Sequence, residues 1–185
     1  MWKPIALTAL LAAAAGAGQF EYKVLATTKT STMEKELNEA AEAGYAFVAV
    51  MGGSTAGAGS AEVVAVMRKL PAQETKRSYR LLATSRTSTM QKEMAELARS
   101  GYDYKGQTVF SSAFGGREVA VIMERSGDTG GPGVEFKLVA TNRTSTQQKE
   151  LNEAGRDGFE LVGLTVGQTA FGGNELVSIL RRRAE

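Results

Sequence analysis

The chain has 185 residues, with 22 Lys and Arg against 20 Asp and Glu, and it contains neither histidine nor cysteine. Those two absences exclude a Ser/His/Asp or Cys/His catalytic centre, the usual nitrogen- or sulfur-ligated zinc site and any disulfide. A net charge of +2 with both signs interspersed sets up no field that draws a protein to nucleic acid or to an acidic membrane, so no nucleic-acid partner is expected.

The first segment reads as an address. Met1 to Lys3 form a short positive start, Ile5 to Ala15 an apolar run of eleven, and Ala15-Gly16-Ala17 a small-residue cleavage site. Residues 1–17 are therefore expected to be a secretory signal peptide. The run spans only about 16 Å as a helix, roughly half a hydrocarbon core, so no stable membrane anchor is expected to remain after cleavage. No cysteine follows it, which excludes a lipid-anchored lipoprotein. An exported chain without disulfides fits a bacterial periplasmic or secreted location.

The rest of the chain is one unit written three times. Tyr22-Lys23-Val24-Leu25-Ala26-Thr27 returns at a spacing of 57 residues as Tyr79-Arg80-Leu81-Leu82-Ala83-Thr84, and again as Phe136-Lys137-Leu138-Val139-Ala140-Thr141. The copies run over 20–69, 77–125 and 134–182, separated by a segment containing Pro71 and by the structure-breaking SGDTGGPG from Ser126.

Within each copy the first stretch alternates apolar with polar residues and predicts a strand. A helix of about 12 residues follows. Ser31, Ser88 and Ser145 each precede Glu34, Gln91 or Gln148 by three residues, the spacing of a capping box. Met33, Leu37, Ala40 and Ala41 mark the apolar face, echoed by Met90, Met94, Leu97 and Ala98; Gln147 and Gly155 weaken the stripe in the third copy. Gly44, Gly101 and Gly158, each followed by an aromatic residue, predict a left-handed stop with the aromatic folding back on the last turn. A second strand is expected over Phe47 to Val50 and Leu161 to Leu164. In the middle copy Lys105-Gly106-Gln107-Thr108 stands there instead, predicting a strand that is frayed, shifted toward Val109 and Phe110, or at an edge. After glycine-rich connections, third strands run over Glu62 to Arg68, Glu118 to Glu124 and Glu175 to Arg181.

The expected fold class is α+β: three tandem β-α-β-β repeats, two-layer sheet-and-helix units packed into one pseudo-symmetric domain. About 50 residues bury too little surface to stand comfortably alone. The third strands are apolar on both faces, with Val119, Val121 and Met123 alternating with Ala120 and Ile122. One helix covers one face, so copies are expected to cover one another with their helices outside.

Candidate chemistry is sparse. The strand-to-helix junctions carry a cation and hydroxyls beyond what a cap needs: Lys29, Ser31 and Thr32; Arg86, Ser88 and Thr89; Arg143, Ser145 and Thr146. Unpaired amides and the positive end of the dipole at a helix start would suit a small anionic ligand there. Ordinary cap and turn chemistry explains the same residues. Glu36, Glu93 and Glu150 are the carboxylates a hydrolase would draw on, yet no partner that would tune them is evident. Lys35 and Glu39, Lys92 and Glu96, and Lys149 and Glu153 are spaced as surface ion pairs. Arg181-Arg182-Arg183 reads as a solvated basic tail. No catalytic residue, metal ligand or cofactor is indicated.

With VEFKLVA from Val134, LNEAG from Leu151 and GFELVGL from Gly158, each copy resembles a group of small bacterial domains of unknown function. Their pattern is an E-Y-K-V-V strand, a short helix with L-N, then G-W-E-L-V and a closing strand ending in basic residues; Tyr or Phe stands here in place of the Trp. The resemblance implies the β-α-β-β order and no activity. The expected function is thus a non-enzymatic binding or assembly protein of the bacterial envelope, its partner a protein, an envelope component or another copy of itself. Binding of an anion at the helix starts and a carboxylate-dependent hydrolase are the alternatives.

Overall fold

Strand, helix, strand, strand is the order in which each of the three segments folds. A computed structural model describes residues 20–54, 61–71, 76–111, 117–127, 133–168 and 173–183. The expected signal segment, Thr55 to Gly59, Ala113 to Gly116, Ala170 to Gly172 and most of the SGDTGGPG linker lie outside the described residues.

The first unit comprises β1 (Tyr22–Thr27), α1 (Thr30–Glu42), β2 (Tyr45–Ser54) and β3 (Ala61–Lys69). The second comprises β4 (Arg77–Thr84), α2 (Thr87–Arg99), β5 (Asp103–Ser111) and β6 (Arg117–Ser126), and the third β7 (Val134–Thr141), α3 (Thr144–Arg156), β8 (Glu160–Gln168) and β9 (Asn174–Arg183). Each unit forms a three-stranded antiparallel sheet with its last strand in the middle, in the orders β1-β3-β2, β4-β6-β5 and β7-β9-β8. The fold is therefore α+β with three similar sheet-and-helix units. β5 is a full nine-residue strand at a sheet edge, not a frayed one. Its register slips between Tyr104 and Gly106, as β2 does between Phe47 and Ala49 and β8 between Leu161 and Gly163.

The helix starts correct the capping-box reading. Each helix begins one residue earlier than the serine, at Thr30, Thr87 or Thr144, with Lys29, Arg86 or Arg143 as the N-cap and no side-chain cap bond. The last threonine of the preceding strand sets the turn instead: the Lys29, Arg86 and Arg143 amides donate to the Thr27, Thr84 and Thr141 hydroxyls at 3.1–3.2 Å. The stops are as expected. Gly44, Gly101 and Gly158 have φ of 84°, 82° and 82°, a left-handed backbone that glycine adopts without a Cβ penalty. In the second and third units the amide of the following aromatic residue donates back to the helix, Tyr102 to the Leu97 carbonyl and Phe159 to that of Ala154.

Each of those aromatics lies beneath a cation from the closing strand: Lys69 over Tyr45 at 4.7 Å, Arg125 over Tyr102 at 5.0 Å and Arg182 over Phe159 at 4.6 Å. Lys69 and Arg182 also donate to the carbonyls of the C-cap residues, Ala43 and Asp157. The basic ends of the closing strands are thus built into the fold. Arg182 pairs with Glu135 at 2.6 Å and Arg181 with Asp103 at 2.7 Å, so these two are not the solvated tail their sequence suggests.

Two cores cross the unit boundaries. Met33, Leu37 and Ala40 of α1 pack with Val63, Ala65 and Met67 of β3, and also with Tyr79, Ala120 and Ile122 of the second unit. Met90, Met94 and Ala98 of α2 pack in the same way with Val119, Val121 and Met123 of β6 and with Phe136, Val177 and Ile179 of the third unit. Both faces of β6 are consequently buried. α1 and α2 lie at the boundaries between sheets, not outside them as expected. Among the described residues α3 packs within its own unit, over Val139, Ala154 and Leu180 with Leu151 and Phe159.

Candidate functional site

The expected anion residues sit at the surface. Lys29, Ser31, Arg86, Ser88, Arg143 and Ser145 are exposed, while Thr32, Thr89 and Thr146 are half-buried. The three clusters belong to three different helix starts. The cavity beside Arg86 and Thr87, between Met90, Leu138 and Val177, holds about 10 Å³, space for one water and not for a phosphate or sulfate.

The helix starts also join units. Glu34, assigned by spacing to a capping box, reaches the edge strand of the second unit: its Oε2 accepts from the Leu81 amide at 2.8 Å and its Oε1 from Arg80 at 3.0 Å. Asn38, one turn on, closes a two-bond ring with Tyr79, donating to its carbonyl at 3.0 Å and accepting from its amide at 2.9 Å. Gln91 alone does the equivalent work at the next boundary, donating to the Phe136 carbonyl at 2.6 Å and accepting from the Leu138 amide at 2.7 Å. Helix side chains thereby satisfy the backbone groups that an edge strand leaves unpaired. Sequence reasoning missed these residues because a capping box explained the glutamate or glutamine. The available signal was the same side-chain type, one turn into every helix, beside a first strand that has a neighbour on one side only.

The first boundary also encloses a polar cluster. The Tyr79 hydroxyl accepts from the Phe47 amide at 2.9 Å and donates to Glu124 at 2.7 Å. Glu124 is buried and further held by Lys105 at 3.0 Å, Ser126 at 3.0 Å and Arg77 at 3.9 Å. Burial, then the bond to Glu124, pushes the Tyr79 phenol well above its usual range. Burial pushes Tyr104 up to about 12.

A cleft of about 340 Å³ opens at the second boundary, lined by Tyr102, Asp103, Val134, Glu160 and Arg181 to Arg183. Two carboxylates share it, and Asp103 is engaged by Arg181. Glu36, Glu93 and Glu150 are half-buried, one on each helix, and line none of these cavities. The surface pairs Lys35–Glu39, Lys92–Glu96 and Lys149–Glu153 are present at 3.5–3.9 Å. Among the described residues no three acidic side chains gather as a metal site would need, and no helix is long and apolar enough to cross a membrane.

The surface feature that stands out is at the two ends. The large apolar side chains exposed to solvent are Phe20, Tyr22, Val24, Val48 and Met51 of the first unit and Leu161, Leu164 and Val166 of the third. Among the described residues none belongs to the second unit. Tyr22 shows the relation to the inner junctions: it is 54% exposed, whereas Tyr79 and Phe136, at the same place in the next units, are 1% and 5% exposed. Comparison with protein-family models, curated sequences and solved structures finds no match to the chain.

Proposed function

We propose that this is an exported, non-enzymatic binding or assembly protein that works through its two end faces, its three units forming one pseudo-symmetric stack. The observation that carries the reading is that, among the described residues, the exposed large apolar side chains fall in the first and third units, with Tyr22 exposed where its counterparts Tyr79 and Phe136 are buried. Phe20, Tyr22 and Val24 alternate along the start of the first unit, the first two rings 6.4 Å apart, and an apolar surface of this kind is costly to leave in water and marks a place where something docks. Export rests on the positive start, the eleven-residue apolar run and the small-residue site of residues 1–17. Removal of that segment would take away Trp2, the only tryptophan, so the mature protein should show tyrosine emission alone.

Amide hydrogen exchange tests the end-face reading. In the dilute isolated chain, the Tyr22 and Val24 amides should exchange much faster than those of Tyr79 and Leu81. They should slow either in the presence of envelope material or as the chain itself is concentrated. Exchange unchanged under both conditions would remove the end faces as the working surface.

A further inference from the structure

We propose that the outgoing face of the third unit, α3 with β8, docks on the incoming face of the first unit, β1 with β3, of a second copy of this chain, so that copies join head to tail. The inference rests on the end-face reading and names its partner.

The argument is continuity with the boundaries already inside the chain. At the second boundary one glutamine, Gln91, spans the Phe136 carbonyl and the Leu138 amide of an edge strand. The matching glutamine of the third unit is Gln148, exposed on α3, followed one turn later by Asn152, the match of Asn38 and likewise exposed. The strand that would receive them is β1. Its Glu21 carbonyl accepts from the Lys69 amide at 2.8 Å, which fixes the alternation: Glu21, Lys23 and Leu25 turn toward β3, and Tyr22 and Val24 turn their backbone groups outward. Those are the positions of Phe136 and Leu138. No described side chain bonds the outward groups of Tyr22 or Val24.

The apolar surfaces correspond as well. On the incoming side Val64 and Val66, half-buried in β3, match Ala120 and Ile122, and Val177 and Ile179, which are buried in the two inner cores. On the outgoing side Leu161 and Leu164 match Phe47 and Val50, and Tyr104 and Gln107, which lie over Gly106 and Gly163 of the following unit. The residue awaiting Leu161 and Leu164 is Ala49, exposed, one methyl larger than those glycines. At Gly163 an added Cβ would come within 2.5 Å of the Tyr104 hydroxyl and 2.4 Å of Gln107 Oε1. Leu161 is shorter than Tyr104 or Phe47, which leaves that methyl its space. The Tyr22 hydroxyl stands ready for the Leu161 amide as Tyr79 is for Phe47.

Charge agrees with shape. The second boundary carries Arg181 on Asp103 at 2.7 Å. The matching residues at the chain's two ends are Arg68, now stacked on Phe20 at 5.2 Å, and Glu160. The contact is heterologous, since two different faces meet, so it propagates into an open fibre or closes into a ring according to its rotation.

The test uses the full-length exported chain and two charge variants on opposite faces, Val24→Glu and Leu164→Glu, with far-ultraviolet circular dichroism confirming that each is folded. Sedimentation velocity of the unaltered chain should show assemblies growing with concentration. Either variant alone should weaken self-association at least about tenfold. An equimolar mixture of the two should recover a complex that stops at the dimer, because one sound head and one sound tail remain. As the chain has no cysteine, Ala49→Cys and Leu164→Cys chains supply a second readout: a disulfide-linked dimer should form when they are mixed and with neither alone. A chain that stays monomeric at every concentration overturns the proposal. So does a Leu164→Glu chain that still dimerises at full strength, which would mean two β1 edges pairing with each other. If those amides are protected by envelope material while the chain remains monomeric, the end-face reading stands and the second copy is the wrong partner.

Discussion

Tyr79 carries an oxygen that its counterpart at the next boundary lacks. Phe136 fills the same place in the third unit without a hydroxyl, whereas Tyr79 links the Phe47 amide to the buried Glu124. A phenol whose folded pKa lies above the unfolded value of about 10 holds its proton more tightly in the folded state, so its stabilisation is fully present below about pH 10 and is lost as pH rises through the folded value. For Tyr104, which burial raises to about 12, the loss runs from the unfolded value up to that point, and Tyr79 extends it higher. Alkaline titration followed by phenolate absorbance and circular dichroism should therefore show these two tyrosines ionising together with loss of the sheets. Tyr104→Phe should move the unfolding midpoint to higher pH. Phenolate formation at both sites with the sheets intact would contradict this. None of it is legible in the sequence, because a tyrosine at an alternating strand position reads the same whether its hydroxyl meets water or a carboxylate from forty-five residues away.

Turns and stops were the most legible elements, for a local reason. A glycine needed at positive φ and an aromatic that folds back are fixed within one helical turn, and all three helices end as their spacing predicts. The starts were misplaced because a serine followed by Glu or Gln satisfies a local rule, whereas the actual partner of Glu34 or Gln91 is an edge strand some forty-seven residues further on. The glycines of the second strand are a similar case. Read along the chain, Gly52 opens a flexible connection. In the fold a Cβ on Gly52 would stand 2.1 Å from the Val109 carbonyl oxygen, and backbone cannot yield as a side-chain tip can, whereas a Cβ on Gly53 would meet nothing within 4 Å. Gly52→Ala should accordingly cost about 1–3 kcal/mol by overpacking the boundary. Gly53→Ala should be neutral or stabilise slightly, by up to about 1 kcal/mol through the unfolded chain. Urea unfolding midpoints of the two variants decide it, and equal midpoints would show that β2 and β5 part freely.

For the molecule as a whole, repetition and apolar third strands made mutual covering predictable, but not which element would lie between the sheets. Helix periodicity names a buried face without naming what buries it, and α1 and α2 turn out to serve their own sheet and the next. That arrangement makes the stack unequal along its length. Among the described residues no further sheet lies beyond α3, its core is three buried residues, and two of the positions it shares with β9 are polar: Gln147 and Ser178, hydrogen-bonded to each other, where the second unit has Met90 and Val121. In a linear stack, stability is close to a sum of unit and neighbour terms, so the unit lacking a neighbour on its helix side opens first. Native-state hydrogen exchange in dilute solution should find Leu151 and Ala154 of α3 opening at lower free energy than Leu37 and Ala40 of α1 or Met94 and Ala98 of α2. Raising the concentration should close that gap if the third helix acquires a sheet from another copy, while the amides of α1 and α2, already sandwiched, should hardly respond. Uniform protection along the three helices at low concentration would mean that the boundaries contribute little, and that each unit is stabilised from within.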